Sequence, residues 1–480
     1  MENSPSVRRA LVWSFAERYT SLLVTIASTM ILARILTPAQ IGIFSLCAAV
    51  TAVAGILRDF GVSEYLIQEK QLTECKMRAA FAIAILVAWT IAAVVLLGRN
   101  IIANYYGEPG IAEVLAVLSL NFFILPFASP AFALLNREMA FRKIFAVQTT
   151  SSVAHAITAI GLAMNGYSYL SLAWATVANS AIQAVLIGFM RPKETLLMPS
   201  LREAKAVFSY GSMFVTSRII ETFTRNAHEF IIAKQFGFAS VGQFSRALGL
   251  IELFYTNVTT AILRVATPAF AANHRAGLSH VETYSKGTAI FTSISWPFFC
   301  FVALMSYEII HLLFGPQWDA AVPIAMILSF SMIPSNLVAL APNILSATGH
   351  VKTRLKITLF TSPVHLSFIF LASFLSVEAI ATAWGLSNMI LTSLYILNLS
   401  RIFGTTIIQL LRPCFLSAFI ALVTITTQAL VLNLSRSIEM PPIINILLVA
   451  ISGAIAWYTT LRITKHPTHV ELHNIWQRMF

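Results

Sequence analysis

Apolar runs of about twenty residues, the length a helix needs to cross a hydrocarbon core, recur along nearly the whole chain. Read between turn and charge signals, they predict fourteen helices, over residues 10–34, 39–60, 78–98, 111–135, 145–165, 168–190, 207–234, 239–264, 287–308, 319–346, 354–375, 378–400, 410–434 and 442–462. The longest connections are about twenty residues, too short to hold a soluble domain. The pattern predicts an all-α polytopic membrane protein.

One stretch breaks that pattern. Residues 210–246 are long and apolar enough to span a bilayer once and turn back. They nevertheless carry Arg218, Glu221, Arg225, His228, Glu229, Lys234 and Arg246. A charge at bilayer depth costs about 2.5–3.5 kcal/mol on insertion scales, so such residues face a bundle interior or a wet cavity.

The same stretch is half of an internal repeat. Shifting the chain by 200 residues superposes Arg18 on Arg218, Ala27 on Ala227, Ile31 on Ile231, and Ala33 on Ala233. Ala39, Gly42, Phe44 and Ser45 fall likewise on Ala239, Gly242, Phe244 and Ser245, giving eight identities in 28 ungapped positions. Both repeat-opening helices run in the same direction, which predicts two pseudo-symmetric six-helix lobes related by an axis along the membrane normal. The expected parts are a first lobe over 1–190, a linker over 191–206, a second lobe over 207–400, and two extra helices with a tail over 401–480.

Charge then orients the helices. Only 11% of the 480 residues are charged, about half the share of a soluble domain, while the net charge is +12. With the N-terminus in the cytoplasm, 24 of the 32 Lys and Arg fall on the cytoplasmic side, four outside and four within spans. The basic charge is therefore orienting charge, with both termini cytoplasmic, and no nucleic-acid partner is implied. Arg8 and Arg9 precede an apolar run that continues to Leu36 without a small-residue cleavage site, which predicts a retained first helix. The four cysteines, Cys47, Cys75, Cys300 and Cys414, are scattered, with neither disulfide nor metal spacing. No nucleotide or other cofactor fingerprint is present, which argues against an ATP-driven pump.

The candidate chemistry sits on the predicted helix over 207–234. Residues 218, 221, 225 and 229 lie within an arc of about 80°, one helical stripe of alternating sign, with His228 on its border. Two readings stay open. Arginine and glutamate can pair along the helix as a ladder that holds a neighbour. Alternatively, Arg218 and Arg225 line a polar cavity and recognise an anionic group, since a guanidinium fork donates two parallel hydrogen bonds to phosphate. Glu221, Glu229 and His228 are then candidates to line the cavity or to bind a coupling ion, H+ or Na+. Arg246 joins the arginines because it is comparably deep, and Arg18 because it opens the first repeat, although its place near the interface also suits snorkelling. Asp59 suits a turn cap or a pair with Arg58, His155 and His365 suit a packed core, and Trp318 suits an interfacial anchor.

At its turns the chain resembles a known family. Residues 33–46 (ARILTPAQIGIFSL), 59–70 (DFGVSEYLIQEK), 136–143 (NREMAFRK), 233–247 (AKQFGFASVGQFSRA), 264–270 (RVATPAF) and 314–318 (FGPQW) are similar to the polysaccharide-transporter branch of the multidrug/oligosaccharidyl-lipid/polysaccharide flippase superfamily. The motifs cover most of residues 10–400 in order. The resemblance implies two lobes that alternate about a central cavity and flip lipid-pyrophosphate-linked oligosaccharides across the bacterial inner membrane. It implies membrane lipids as surroundings and a glycan polymerase machinery that consumes the flipped unit. Two positions depart from the pattern: Phe244 stands where tyrosine is frequent, and Arg246 where an apolar residue is commoner. The competing expectations are a multidrug or cation antiporter or a peptidoglycan-precursor flippase of the same superfamily. A membrane glycan polymerase or ligase, from a different class, would need larger outer loops.

Overall fold

The computed structural model describes residues 7–69, 72–190, 199–200, 204–260, 262–263, 270, 280–438 and 440–472. Most of the expected linker, residues 264–269 of the RVATPAF motif and the end of the tail lie outside the described residues. Among those described there is no β-strand, and the predicted segments are largely helical, with 111–135, 287–308 and 319–346 each running across more than one helix. Ten helices among the described residues are long and apolar enough to cross a membrane by length and composition. Four predicted spans fall short of that standard: the helices opening at Val7, Phe141 and Ala204 are more polar, and the one at Phe238 is shorter.

The chain forms two compact units, dividing after Gly242. Unit 1 holds α1 (Val7–Ile35), α2 (Pro38–Asp59), α3 (Val62–Gln68), α4 (Glu74–Tyr106), α5 (Gly110–Ile124), α6 (Ser129–Arg137), α7 (Phe141–Met164), α8 (Ser168–Met190), α9 (Ala204–Gln235) and the first turn of α10 (Phe238–Phe254). Local chemistry sets the ends. Thr37 accepts from Gln40 N while the Gln40 side chain accepts from Thr37 N, a reciprocal cap with Pro38 at the first helical position. At the other end of α2, Asp59 accepts from the Ser63 hydroxyl at 3.2 Å, and Arg137 Nη1 closes α3 by donating to Leu66 O and Glu69 O. The buried face of α4 is nearly all alanine (Ala79, Ala80, Ala84, Ala88, Ala92), which lets backbones approach without help from the hydrophobic effect.

Although it opens the second repeat, α9 belongs to unit 1, where it packs on α2 and α4. The repeat register survives in the helices: α1 and α9 end at Ile35 and Gln235, and α2 and α10 begin at Pro38 and Phe238, each pair 200 residues apart. The two repeat glycines face each other's helix starts. A Cβ on Gly42 would lie 1.8 Å from Phe238 O, and one on Gly242 would lie 2.0 Å from Pro38 O. Only glycine permits so close a crossing.

Unit 2 holds the rest of α10, then α11 (His280–Leu304), α12 (Ser306–Phe314), α13 (Ala321–Ser335), α14 (Ala341–Ala347), α15 (Val351–Ala372), α16 (Val377–Phe403), α17 (Ile407–Arg436) and α18 (Pro442–Ile463). Its broken helix copies that of unit 1. α5 and α13 each run 15 residues into a three-residue 3-10 turn, Leu125–Phe127 and Asn336–Val338, and then into a short helix. Both short helices close alike. Ala140 N donates to Leu135 O and His350 N to Leu345 O, with Met139 and Gly349 at positive φ.

The last two helices are integral to unit 2. α17 packs along α11, with Ser417 donating to Ala289 O and Trp457 of α18 to Ser293 O. The segment after α18 is tied down by His466, which is fully buried. Its Nε2 faces the Ser417 hydroxyl at 3.2 Å, and its Nδ1 accepts from Thr468 N at 3.2 Å. A Lys286–Glu471 ion pair lies further along the same segment.

Burial pushes the His466 imidazole down to about 4 from an ordinary 6.5. The released segment binds the proton more readily than the packed one, so its hold is complete above about pH 6.5 and weakens towards pH 4. Amide exchange over residues 464–472, corrected for intrinsic rates, should be faster at pH 5 than at pH 7. His466→Gln should abolish that difference; a difference that persisted would assign the effect elsewhere.

Candidate functional site

The charged stripe on α9 does not behave as one ladder. Arg218 and Arg225 are exposed, Glu221 is half-buried, and His228 and Glu229 are buried. Glu229 Oε1 lies 3.6 Å from His228 Nε2, while its Oε2 is buried with no hydrogen-bond partner among the described residues. Arg225 has no ion pair or hydrogen bond among the described residues, so the Arg225–Glu229 rung is not formed. The physical reason is rotation about the helix axis: Glu229 turns towards packed neighbours while Arg225 stays outside the packing. Arg225 lies ten residues before the end of α9 at Gln235, about 15 Å along the axis. That depth is too great for a long side chain to be dismissed as an end-of-helix charge.

The C-terminal end of α9 is clasped to α4. Lys234 Nζ donates to Tyr105 O at 2.6 Å and sits 4.3 Å from the Tyr105 ring centroid. Tyr106 Oη donates to Phe230 O at 3.2 Å. Lys234 thus meets the carbonyl end of α4, where the helix dipole favours a cation. The clasp fixes the last turns of α9 and with them the rotation that exposes Arg225. Arg18 of α1, the repeat partner of Arg218, is half-buried.

A second candidate site lies in unit 2. Arg246, partly buried, places its guanidinium 5.5 Å from the Trp318 ring centroid and 5.8 Å from that of Phe314. One turn earlier on α10, Gln243 donates to Gln317 O at 2.8 Å. Trp318 is fully buried, so the expected interfacial anchor is instead part of the interior of unit 2. Phe244, on another face of α10, is buried with its ring 6.2 Å from that of Trp384.

Sequence reasoning found Arg225 and Arg246 through their charge but missed what surrounds them. Lys234 stood out only as one of the charges in residues 210–246, and FGPQW only as a family-like turn. His365 is a packed residue as expected, with Nδ1 2.6 Å from the Ser387 hydroxyl.

The chain is similar to the lipopolysaccharide biosynthesis protein WzxC of Escherichia coli (strain K12), at 21% identity over 83% of this chain and 82% of that protein. It is similar to the teichuronic acid biosynthesis protein TuaB of Bacillus subtilis (strain 168), at 21% identity over 68% of each. Among solved structures, the lipid II flippase MurJ in an inward closed conformation matches at TM-score 0.75 and 11% identity, over 95% of this chain and 99% of that one. An inward-facing multidrug resistance MATE family transporter matches at TM-score 0.62 and 13% identity, over 82% of this chain and 98% of that one. These structural likenesses establish the fold, and with ten apolar helices they make the chain a multi-pass membrane protein. Residues 31–323, more than half of the chain, match the polysaccharide biosynthesis protein family, and the chain belongs to that family.

Proposed function

We propose that the chain is a transporter, not an enzyme, that flips lipid-pyrophosphate-linked oligosaccharides or related polysaccharide precursors across the bacterial inner membrane. It serves surface or exopolysaccharide biosynthesis, works by alternating access, and has both termini in the cytoplasm. The observation that carries this reading is Arg225, an exposed guanidinium deep along a long helix and without an ion pair among the described residues. An unneutralised cation at that depth is costly unless an anionic ligand or water meets it. A pyrophosphate head supplies the charge, and the planar fork of arginine supplies the geometry. Arg218 on the same stripe and Arg18 in the first repeat take the same role in unit 1, and Arg246 is assigned its own contact with an anionic group within unit 2. A polar path removes the cost of carrying a charged, hydroxyl-rich head through hydrocarbon while the lipid tail stays in the bilayer. On α9 the deep acid, Glu229, is buried beside His228.

That buried pair supports coupling to an ion gradient. A carboxylate oxygen without a hydrogen bond is stabilised by gaining a proton or a small cation. Glu221, half-buried on the same helix, is the second acid we assign to this relay. The test is flipping of a defined lipid-linked oligosaccharide in proteoliposomes, with and without an H+ or Na+ gradient. Wild type should flip faster with one of these gradients, and Glu229→Gln should lose the stimulation while retaining basal flipping. No flipping by wild type under any condition would overturn the transporter reading.

A further inference from the structure

We propose that Trp318 is a positioning residue for head-group recognition: with Phe314 it forms an aromatic cradle that holds Arg246 without neutralising it. The inference rests on the reading above, in which Arg246 meets an anionic group.

A partly buried arginine is normally paired with a carboxylate, which cancels its charge and occupies its donors. Arg246 has no such partner among the described residues; its cation instead lies against two ring faces, those of Trp318 and Phe314. Ring faces attract a cation through their quadrupole, and Trp does so best. They accept no strong hydrogen bond, so the full charge and the N–H donors remain for a ligand. The buried Nε has no hydrogen-bond partner among the described residues, so no protein acceptor occupies that donor. The planar fork is left to meet an anion bidentately.

The local chain is built to set this geometry. Gly315, at φ +97°, makes the turn that a side-chain-bearing residue would resist, and Pro316 opens a 3-10 turn closed by Trp318 N donating to Gly315 O. Gln243 and Arg246, one helical turn apart and so on one face of α10, hold the consecutive residues Gln317 and Trp318. The first repeat carries Leu46 at the position of Arg246, fully buried, so this device belongs to the second repeat alone.

The test uses purified full-length protein in detergent with farnesyl pyrophosphate as the probe, its affinity measured by titration calorimetry. Arg246→Gln should weaken binding about tenfold, and Trp318→Leu by a similar factor. The double variant should bind no worse than Arg246→Gln, because the cradle acts only through the arginine. Trp318→Phe keeps a ring face and should stay within about threefold of wild type. Should Trp318→Leu not be monodisperse, Phe314→Leu carries the test, with an expected loss of about threefold. Wild-type binding by both Trp318→Leu and Phe314→Leu, or losses that multiply in the double variant, would overturn the cradle. Wild-type binding by Arg246→Gln would instead remove Arg246 from the head-group set, and the cradle with it. Loss in Arg246→Gln with none in the cradle variants leaves the broader reading standing.

Discussion

Arg225→Ala is expected to stop surface-glycan export in a strain whose only copy of the chain carries it, while the protein still reaches the membrane folded. The side chain is exposed and takes part in no ion pair among the described residues, so its removal leaves no buried group stranded. On the proposed reading it removes a charge-assisted bidentate contact to the head group, worth about 3 kcal/mol, or roughly a hundredfold in turnover at limiting substrate. Arg225→Lys keeps charge but loses the planar fork, and should fall between. The ladder alternative makes the opposite forecast. If Arg225 served only to balance Glu229, the double variant Arg225→Gln, Glu229→Gln would restore export. Because Glu229 lies against His228, no restoration is expected. Normal glycan export in Arg225→Ala would refute the assignment, and quantitative glycan staining beside an immunoblot of the membrane fraction checks it.

Much of this architecture was readable in the sequence, because bilayer crossing imposes a length and an apolar character on each helix. The 200-residue repeat was equally readable, and its register holds to the residue at the ends of α1 and α9. The broken helices were not. Residues 111–135 and 319–346 read as single spans, yet each contains a 3-10 turn and a short second helix, with Pro126 at one break and Pro334 just before the other. Apolar composition continues through both breaks and hides them. Near the candidate site, charge marked Arg225, Glu229 and Arg246, but helical spacing alone could not say which residues of a stripe face packing. The rotation of α9 follows from its clasp on α4, a contact between Lys234 and Tyr105 that lies 129 residues apart in sequence. Trp318 was misread for a related reason: an aromatic residue beside a turn looks interfacial until the arginine above it is known.

Gly42→Ala should be the most destabilising single-methyl change in unit 1, and the repeat explains why. Its new Cβ would sit 1.8 Å from Phe238 O, a backbone atom, so relief requires moving the start of α10 itself. Gly242→Ala meets the same obstacle in mirror form at Pro38 O, 2.0 Å away. Overpacking of a tight interior costs about 1–3 kcal/mol when side chains can yield, and backbone contacts yield less. Each alanine variant should therefore lower the unfolding temperature in detergent by several degrees, about 2–4 °C per kcal/mol for a unit of this size. Once one substitution has forced the two helix starts apart, the second meets a gap already opened, so the double variant should lose less than the sum. Gly55, Gly98 and Gly161 are the controls, since a Cβ on any of them meets nothing within 4 Å. Alanine there should be neutral or stabilising by up to about 1 kcal/mol through helix propensity. Equal melting temperatures for Gly42→Ala and Gly55→Ala would mean that the crossing tolerates a methyl group. If instead the pair Gly42 and Gly242 separates from the controls, the shared G-x-F-S of the two repeats has a physical basis. Each copy keeps its glycine because the other copy's backbone occupies the space where a side chain would go.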